Sequence, residues 1–280
     1  MLATARWVAR GLGVAAMLAG ATFARAGSGE LERTWNAARV YVPAATSAGY
    51  RMIGAGEIDE TATAGDAVPK AVIVYAHGCS GLNRITDTTG RFLAQAGYLV
   101  IAPDSFARLE KPTSCEPGTH KGGLHRAVLG WRQDEMRHAF KQVAAMPALR
   151  GLPVVLMGHS QGAITTATIE NLPVAARVIE GWTCHAGWPE YRGLAATPDQ
   201  PVLALVGEND PWFRRQVLNG DCGAFMKQGM EGETASRSIV YRAPNYLNAK
   251  HWLSGDSDVQ REILDFIDRA VSTKRKNNAG

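Results

Sequence analysis

Val154-Val155-Leu156-Met157-Gly158-His159-Ser160-Gln161-Gly162 is the stretch on which the chain turns, and Ala163-Ile164-Thr165-Thr166-Ala167-Thr168-Ile169 follows it directly. Four apolar residues predict a buried strand, the Gly-His-Ser-Gln-Gly segment a tight turn, and the following run a helix. Such a strand-to-helix turn lifts a serine hydroxyl clear of the sheet edge, which makes it a nucleophile elbow. Gly158 and Gly162 are required there because a side chain at either position would strike the adjoining strand or helix. The positive end of the helix faces the serine, where an oxyanion would develop in acyl transfer. In a chain with 30 glycines the bare Gly-x-Ser-x-Gly pattern turns up by chance about 0.12 times. Its placement between an apolar strand and a helix gives it weight.

On these residues the chain resembles the α/β-hydrolase superfamily, and most of all its dienelactone hydrolase-like branch, over roughly Lys70 to Ala270. The resemblance implies a doubly wound, mostly parallel sheet of about eight strands flanked by helices. The alternation of elements points the same way. Ala71-Val72-Ile73-Val74-Tyr75-Ala76 is an apolar run of the kind that parallel strands covered on both faces show. A helix through Arg91–Ala96 stops at Gly97, and Tyr98–Pro103 reads as the next strand. Leu129, Arg132, Met136, Phe140 and Val143 fall on one helical face, which Pro147 ends. Further strands are expected at Val178–Trp182, Val202–Val206 and Ser238–Tyr241, and a closing helix over Val259–Val271. Arg39–Pro43 and Tyr50–Glu57 suit the antiparallel opening strands of the resembled fold. The Pro-, Gly- and charge-rich stretch Asp104–Gly123 reads as a long connection able to cover a site.

Activating a serine takes a base, and the base needs an orienting acid. The resemblance implies the order Ser, then Asp or Glu, then His, each partner on a loop after a later strand. Val202–Val206 leads into Gly207-Glu208-Asn209-Asp210, so Asp210 stands where the family's acid stands, with Glu208 the weaker alternative. His251 is the only histidine after Asp210, which gives Ser160, Asp210 and His251 as the candidate triad. The resemblance places the oxyanion donors at the backbone N–H of Gln161 and at the loop His77-Gly78-Cys79, where Cys79 is the second donor. His77 itself reads as an organiser of that loop, and His159 as packed beneath the elbow. Phe106, Trp188, Trp212, Phe213 and Trp252 are candidates to line an acyl or aromatic pocket. One departure stands out: dienelactone hydrolases proper carry a cysteine in the elbow, and this chain has Ser160. The fold and triad geometry of the branch therefore carry over more firmly than its substrate.

The expected chemistry is cleavage of a small-molecule ester or lactone through an acyl-enzyme on Ser160. Neither a metal nor an organic cofactor is required, and His120 and His125, five apart in a Gly-rich loop, do not make a metal site. Peptidases share the fold, and so do non-catalytic binding modules; filled triad positions argue against the latter.

Composition is that of an ordinary globular protein, with 46% hydrophobic and 20% charged residues. Arg6 and Arg10, the apolar or small run Gly11–Phe23 and Ala24-Arg25-Ala26 have the form of a signal peptide over residues 1–26. The run is too short and too rich in Ala and Gly for a comfortable membrane span. Export, periplasmic or secreted, is thus expected, with residues 27–280 as one hydrolase domain and no membrane association after cleavage. Removing Arg6, Arg10 and Arg25 lowers the formal charge from +4 to +1, which offers no argument for nucleic acid binding. Four cysteines in an exported chain permit disulfides, in any of three connectivities. Cys79–Cys115 with Cys184–Cys222 is favoured, because in the resembled fold each pair joins loops at the same sheet edge.

Overall fold

The structure, a computed structural model, describes residues 27–44, 49–59, 68–226 and 235–279. The expected signal peptide, residues 1–26, lies outside the described residues.

Strand β1 (Arg39–Pro43) pairs antiparallel with β2 (Tyr50–Ile53) and with β4 (Leu99–Ala102). Strands β3 (Val72–Ala76), β7 (Val154–His159), β8 (Ala176–Glu180), β9 (Val202–Gly207) and β10 (Arg237–Tyr241) complete an eight-stranded sheet in the order β10-β9-β8-β7-β3-β4-β1-β2. Every pairing from β4 across to β10 is parallel. The doubly wound, mostly parallel sheet expected from the sequence is therefore the one observed.

Strands covered on both faces are apolar throughout yet still alternate in what they touch. Ile73 and Tyr75 of β3 pack in one cluster with Phe92 and Leu93 of α2 (Arg84–Gln95) and Phe266 and Ile267 of α5 (Ser257–Ala279). Val72 and Val74 face the other way, onto Trp35 of α1 (Ser28–Asn36) and Met136 and Val143 of α3 (Arg126–Ala145). The short helix α4 (Gln161–Thr168) leans on β7 and β8 on that second side.

Helices α2 and α5 both begin earlier than their apolar spacing predicts, because a side chain caps each start. Helix α2 starts seven residues before the expected Arg91, because the Asn83 side chain accepts the Ile85 N–H (2.9 Å). Asp256 does the same for α5, accepting from Asp258 and Val259. The strand expected at Val178–Trp182 is shifted two residues earlier, and Gly181, at φ 70°, ends it. The connection 104–123 holds a small hairpin of β5 (Cys115–Glu116) and β6 (Lys121–Gly122), too short and polar to show in any hydrophobic pattern. Among the described residues no helix is long and apolar enough to cross a membrane.

Candidate active site

Ser160 sits between β7 and α4 with φ 57° and ψ −119°, a conformation that side chains rarely adopt. The glycines on either side explain how the turn closes. A Cβ on Gly162 would lie 1.8 Å from the carbonyl oxygen of Ala76, and one on Gly158 would lie 2.2 Å from that of Gly162. The Ser160 N–H donates to the Glu180 carbonyl at the end of β8 (2.9 Å), which anchors the turn to the neighbouring strand.

Two loops from later strands converge on this serine. His251, after β10, places Nε2 2.8 Å from Ser160 Oγ. Its Nδ1 lies 2.6 Å from Oδ2 of Asp210, after β9. The other carboxylate oxygen of Asp210 accepts the Trp212 N–H (3.0 Å), so the acid is held from both sides and its side chain is fully buried. With Nδ1–H donating to the carboxylate, Nε2 is left as the acceptor for the serine hydroxyl. Glu208, the alternative acid, pairs instead with Arg242 on the surface (3.3 Å).

The His251 ring is enclosed by aromatic neighbours. Trp212 stacks on it at 5.2 Å between centroids and 29° between planes, with Phe213 (5.7 Å) and His159 (5.1 Å) at its edges. His159 is buried, and its Nε2 lies 3.3 Å from the His251 carbonyl. Burial first, and then the adjacent His251, hold the His159 imidazole down to about 3. An unfolded histidine protonates near pH 6.5, whereas the folded His159 stays neutral. Its contribution to stability is therefore whole above pH 6.5 and lost as the pH falls towards 3. Urea unfolding at pH 7 and pH 4.5 should show His159→Gln losing roughly 2–3 kcal/mol less than the wild type over that interval. Parallel losses in the two proteins would contradict this.

The loop after β3 lies against the serine from the opposite side: a Cβ on Gly78 would come 3.5 Å from Ser160 Cβ. His77 is buried and organises this loop. Its Nε2 accepts the Ser105 N–H (3.2 Å), so Nδ1 carries the proton and donates to the Gly78 carbonyl (2.7 Å). Burial, reinforced by Arg132, pushes its imidazole well below the usual range. Arg132 of α3 also donates to the His77 carbonyl (2.6 Å) and is itself fully buried. Glu135, which bonds Arg108 (3.0 Å) and Ser105, lies 3.7 Å from the Arg132 guanidinium. The helical face on which the sequence places Arg132 thus carries a buried ionic cluster.

Sequence reasoning missed Glu180. Its carboxylate, fully buried at the end of β8, accepts the N–H groups of Leu253 (2.7 Å) and Ser254 (2.6 Å) and the Ser254 hydroxyl (3.0 Å). Burial pushes this carboxyl up, and the three hydrogen bonds work against that. One residue therefore fixes the serine through its carbonyl and the His251 loop through its side chain. An acid inside the otherwise apolar stretch Val178–Trp182 was the available signal.

Ser160 and His251 open into a cavity of about 360 Å³, which Gln161 and Cys79 also line. Of the five aromatic candidates, Trp188, Trp212 and Phe213 line it. Phe106 instead packs over Gly81 and beside His77, and Trp252 stacks beneath Arg84. Trp182 and Tyr191 join the lining. Among the described residues no Asp or Glu does, while Lys121, Arg214 and Arg215 stand exposed at its edge.

Both favoured disulfides are present. Cys79–Cys115 ties the loop after β3 to the β5–β6 hairpin, and Cys184–Cys222 joins the loops after β8 and β9. Two such bonds suit an oxidising compartment. Among the described residues no group of three or more His, Cys, Asp or Glu side chains is arranged to hold a metal.

A model of the dienelactone hydrolase family matches residues 58–252. Among solved structures, a Klebsiella pneumoniae protein assigned to the dienelactone hydrolases superposes with a TM-score of 0.51 at 19% identity, covering 83% of this chain and 99% of that one. A dienelactone hydrolase from Anabaena variabilis gives 0.50 at 16% identity, covering 72% and 87%. At these identities the likeness is one of fold. No curated protein matches the chain in sequence.

Proposed function

The chain belongs to the dienelactone hydrolase family and is a hydrolase, and from that premise we propose that it cleaves small carboxylic esters or lactones through an acyl-enzyme on Ser160. The reading is carried by the continuous hydrogen-bond path Ser160–His251–Asp210 (2.8 and 2.6 Å) opening into the 360 Å³ cavity. Ser160 Oγ attacks the acyl carbon as His251 Nε2 takes its proton. Asp210 keeps the proton of Nδ1 in place and stabilises the imidazolium. The oxyanion is received by the N–H groups of Gln161 and Cys79. As the intermediate collapses, His251 returns the proton to the departing alcohol; water then repeats the sequence and frees the acid. Exposed cations at the rim, with no acid among the described lining residues, favour neutral or anionic esters over cationic ones.

A fluorophosphonate probe tests this directly. It should modify Ser160 and no other serine, with p-nitrophenyl acetate turnover falling in proportion to labelling. Labelling elsewhere, or turnover that persists in fully labelled protein, would discard the reading. Chromogenic peptides offered beside small esters distinguish a peptidase of the same fold.

Cys79 has a second part in the proposal, since it supplies a donor and is bonded to the hairpin that walls the cavity. Reduction should lower kcat by about tenfold or more before the circular dichroism changes, because a displaced oxyanion donor costs up to 10²–10³ in rate. Full activity in protein shown by mass mapping to carry free thiols at Cys79 and Cys115 would refute that. Export, with residues 1–26 as a cleaved leader and 27–280 as one domain, completes the proposal; the disulfides support it.

A further inference from the structure

The cavity walls say more about the substrate than that it is an ester, and we propose that this site is built for esters whose acyl or alcohol part carries a flat aromatic ring. The inference rests on the ester-hydrolase reading above.

Its first support is the kind of apolar surface present. Trp182, Trp188, Tyr191, Trp212 and Phe213 line the cavity, against Ile164, Pro211, Val217 and Leu218 as the aliphatic side chains among the described lining residues. These rings come from two separate loops, after β8 and after β9, and meet edge to face: Trp188 on Tyr191 (5.9 Å, 77°) and Trp182 on Phe213 (5.6 Å, 71°). Edge-to-face contact matches the positive rim of one ring to the negative face of another, an attraction that an alkyl group of equal area does not offer.

The second support is that the rings are held in place. The buried Tyr191 takes the His125 N–H on its hydroxyl (3.0 Å). Trp182 and Tyr191 share a buried cluster with Cys184 and Cys222, whose disulfide pins the two loops together. His120, at the tip of the β5–β6 hairpin, meets the edge of Trp212 (5.6 Å, 67°). A preformed wall spares the ordering cost of binding, and it suits a rigid planar group more than a flexible chain.

Third, apolar surface is left open at the mouth. Trp188 is 36% exposed and Val217 52% exposed, and both line the cavity. A ring entering there would cover surface that water now meets.

The test compares esters alike in connectivity and reactivity and different only in the ring. Methyl 3-phenylpropanoate against methyl 3-cyclohexylpropanoate probes the acyl side. 2-Phenylethyl acetate against 2-cyclohexylethyl acetate probes the alcohol side. In at least one pair the phenyl ester should show kcat/KM about fivefold higher. It should also slow fluorophosphonate labelling of Ser160 at a correspondingly lower concentration, a readout that does not depend on turnover. Trp188→Leu should at least halve that preference. Equal or better performance of the cyclohexyl ester in both pairs, in protein whose Ser160 still labels, overturns the aromatic specificity and leaves the ester hydrolase standing. Failure of Ser160 to label overturns both.

Discussion

Ser160→Ala should lower kcat for small esters by about 10⁶-fold and abolish fluorophosphonate labelling, while unfolding at nearly the same denaturant concentration as the wild type. The size of the effect follows from what the hydroxyl does. In the proposed mechanism it is the atom that forms the covalent bond, and it stands 2.8 Å from the base that takes its proton, His251 Nε2. Removing it leaves only the oxyanion donors and binding, which together retain about 10³–10⁴ over water in a hydrolase of this kind. Stability should hardly move because the strain at this position lies in the backbone. Serine and alanine carry the same Cβ at φ 57°, and the surrounding contacts are made by the main chain: the Ser160 N–H to Glu180 and the Ser160 carbonyl to Ile164 (3.1 Å). Ester turnover in Ser160→Ala within tenfold of the wild type would end the acyl-enzyme account.

That turn was also where the sequence spoke most clearly. Gly158 and Gly162 could be read as steric requirements before any coordinates, and the hypothetical Cβ positions 2.2 and 1.8 Å from backbone atoms show the collisions. The apolar runs of β3, β7 and β9 were legible for a related reason, since a strand covered on both faces admits almost nothing else. The order and loop placement that the resemblance implies pointed to Ser160, Asp210 and His251, and the fold places His251 within hydrogen-bonding distance of the other two.

Polar residues in the interior were harder to read. Arg132 occupies a core-facing position of α3 because the His77 carbonyl needs a donor, and Glu135 lies beside it to balance the buried charge; both needs are visible only in three dimensions. Glu180 likewise depends on two N–H groups more than seventy residues away in the chain. The hairpin in 104–123 went unread because a disulfide, rather than a hydrophobic pattern, fixes its place. Phe106 and Trp252 were misplaced as pocket residues for a simpler reason. Lying near a strand end says nothing about the direction in which a side chain points, and both turn away from the cavity.

Asp210→Asn should lower kcat by about 10⁴-fold with the fold intact, and Glu208→Gln should leave it near the wild-type value. The buried carboxylate accepts from His251 Nδ1 at 2.6 Å and from the Trp212 N–H at 3.0 Å. Asparagine fits the same space, and its carbonyl oxygen satisfies one of those two donors. If that oxygen keeps the Trp212 N–H, the amide NH₂ faces Nδ1 and donates to it. Nδ1 then becomes the acceptor and the ring proton moves to Nε2, where it points at Ser160 and leaves no base to receive the hydroxyl proton. The lost negative charge also withdraws support from the imidazolium during attack. Glu208 differs in every relevant respect, being exposed and paired with Arg242 across 3.3 Å, so removing its charge touches only a surface ion pair worth ~0–1 kcal/mol. The pair of variants therefore tests the assignment of the acid without relying on either one alone. A large loss in Glu208→Gln with Asp210→Asn still active would move the acid to Glu208. Equal activity in both would mean that His251 is oriented by something other than a carboxylate.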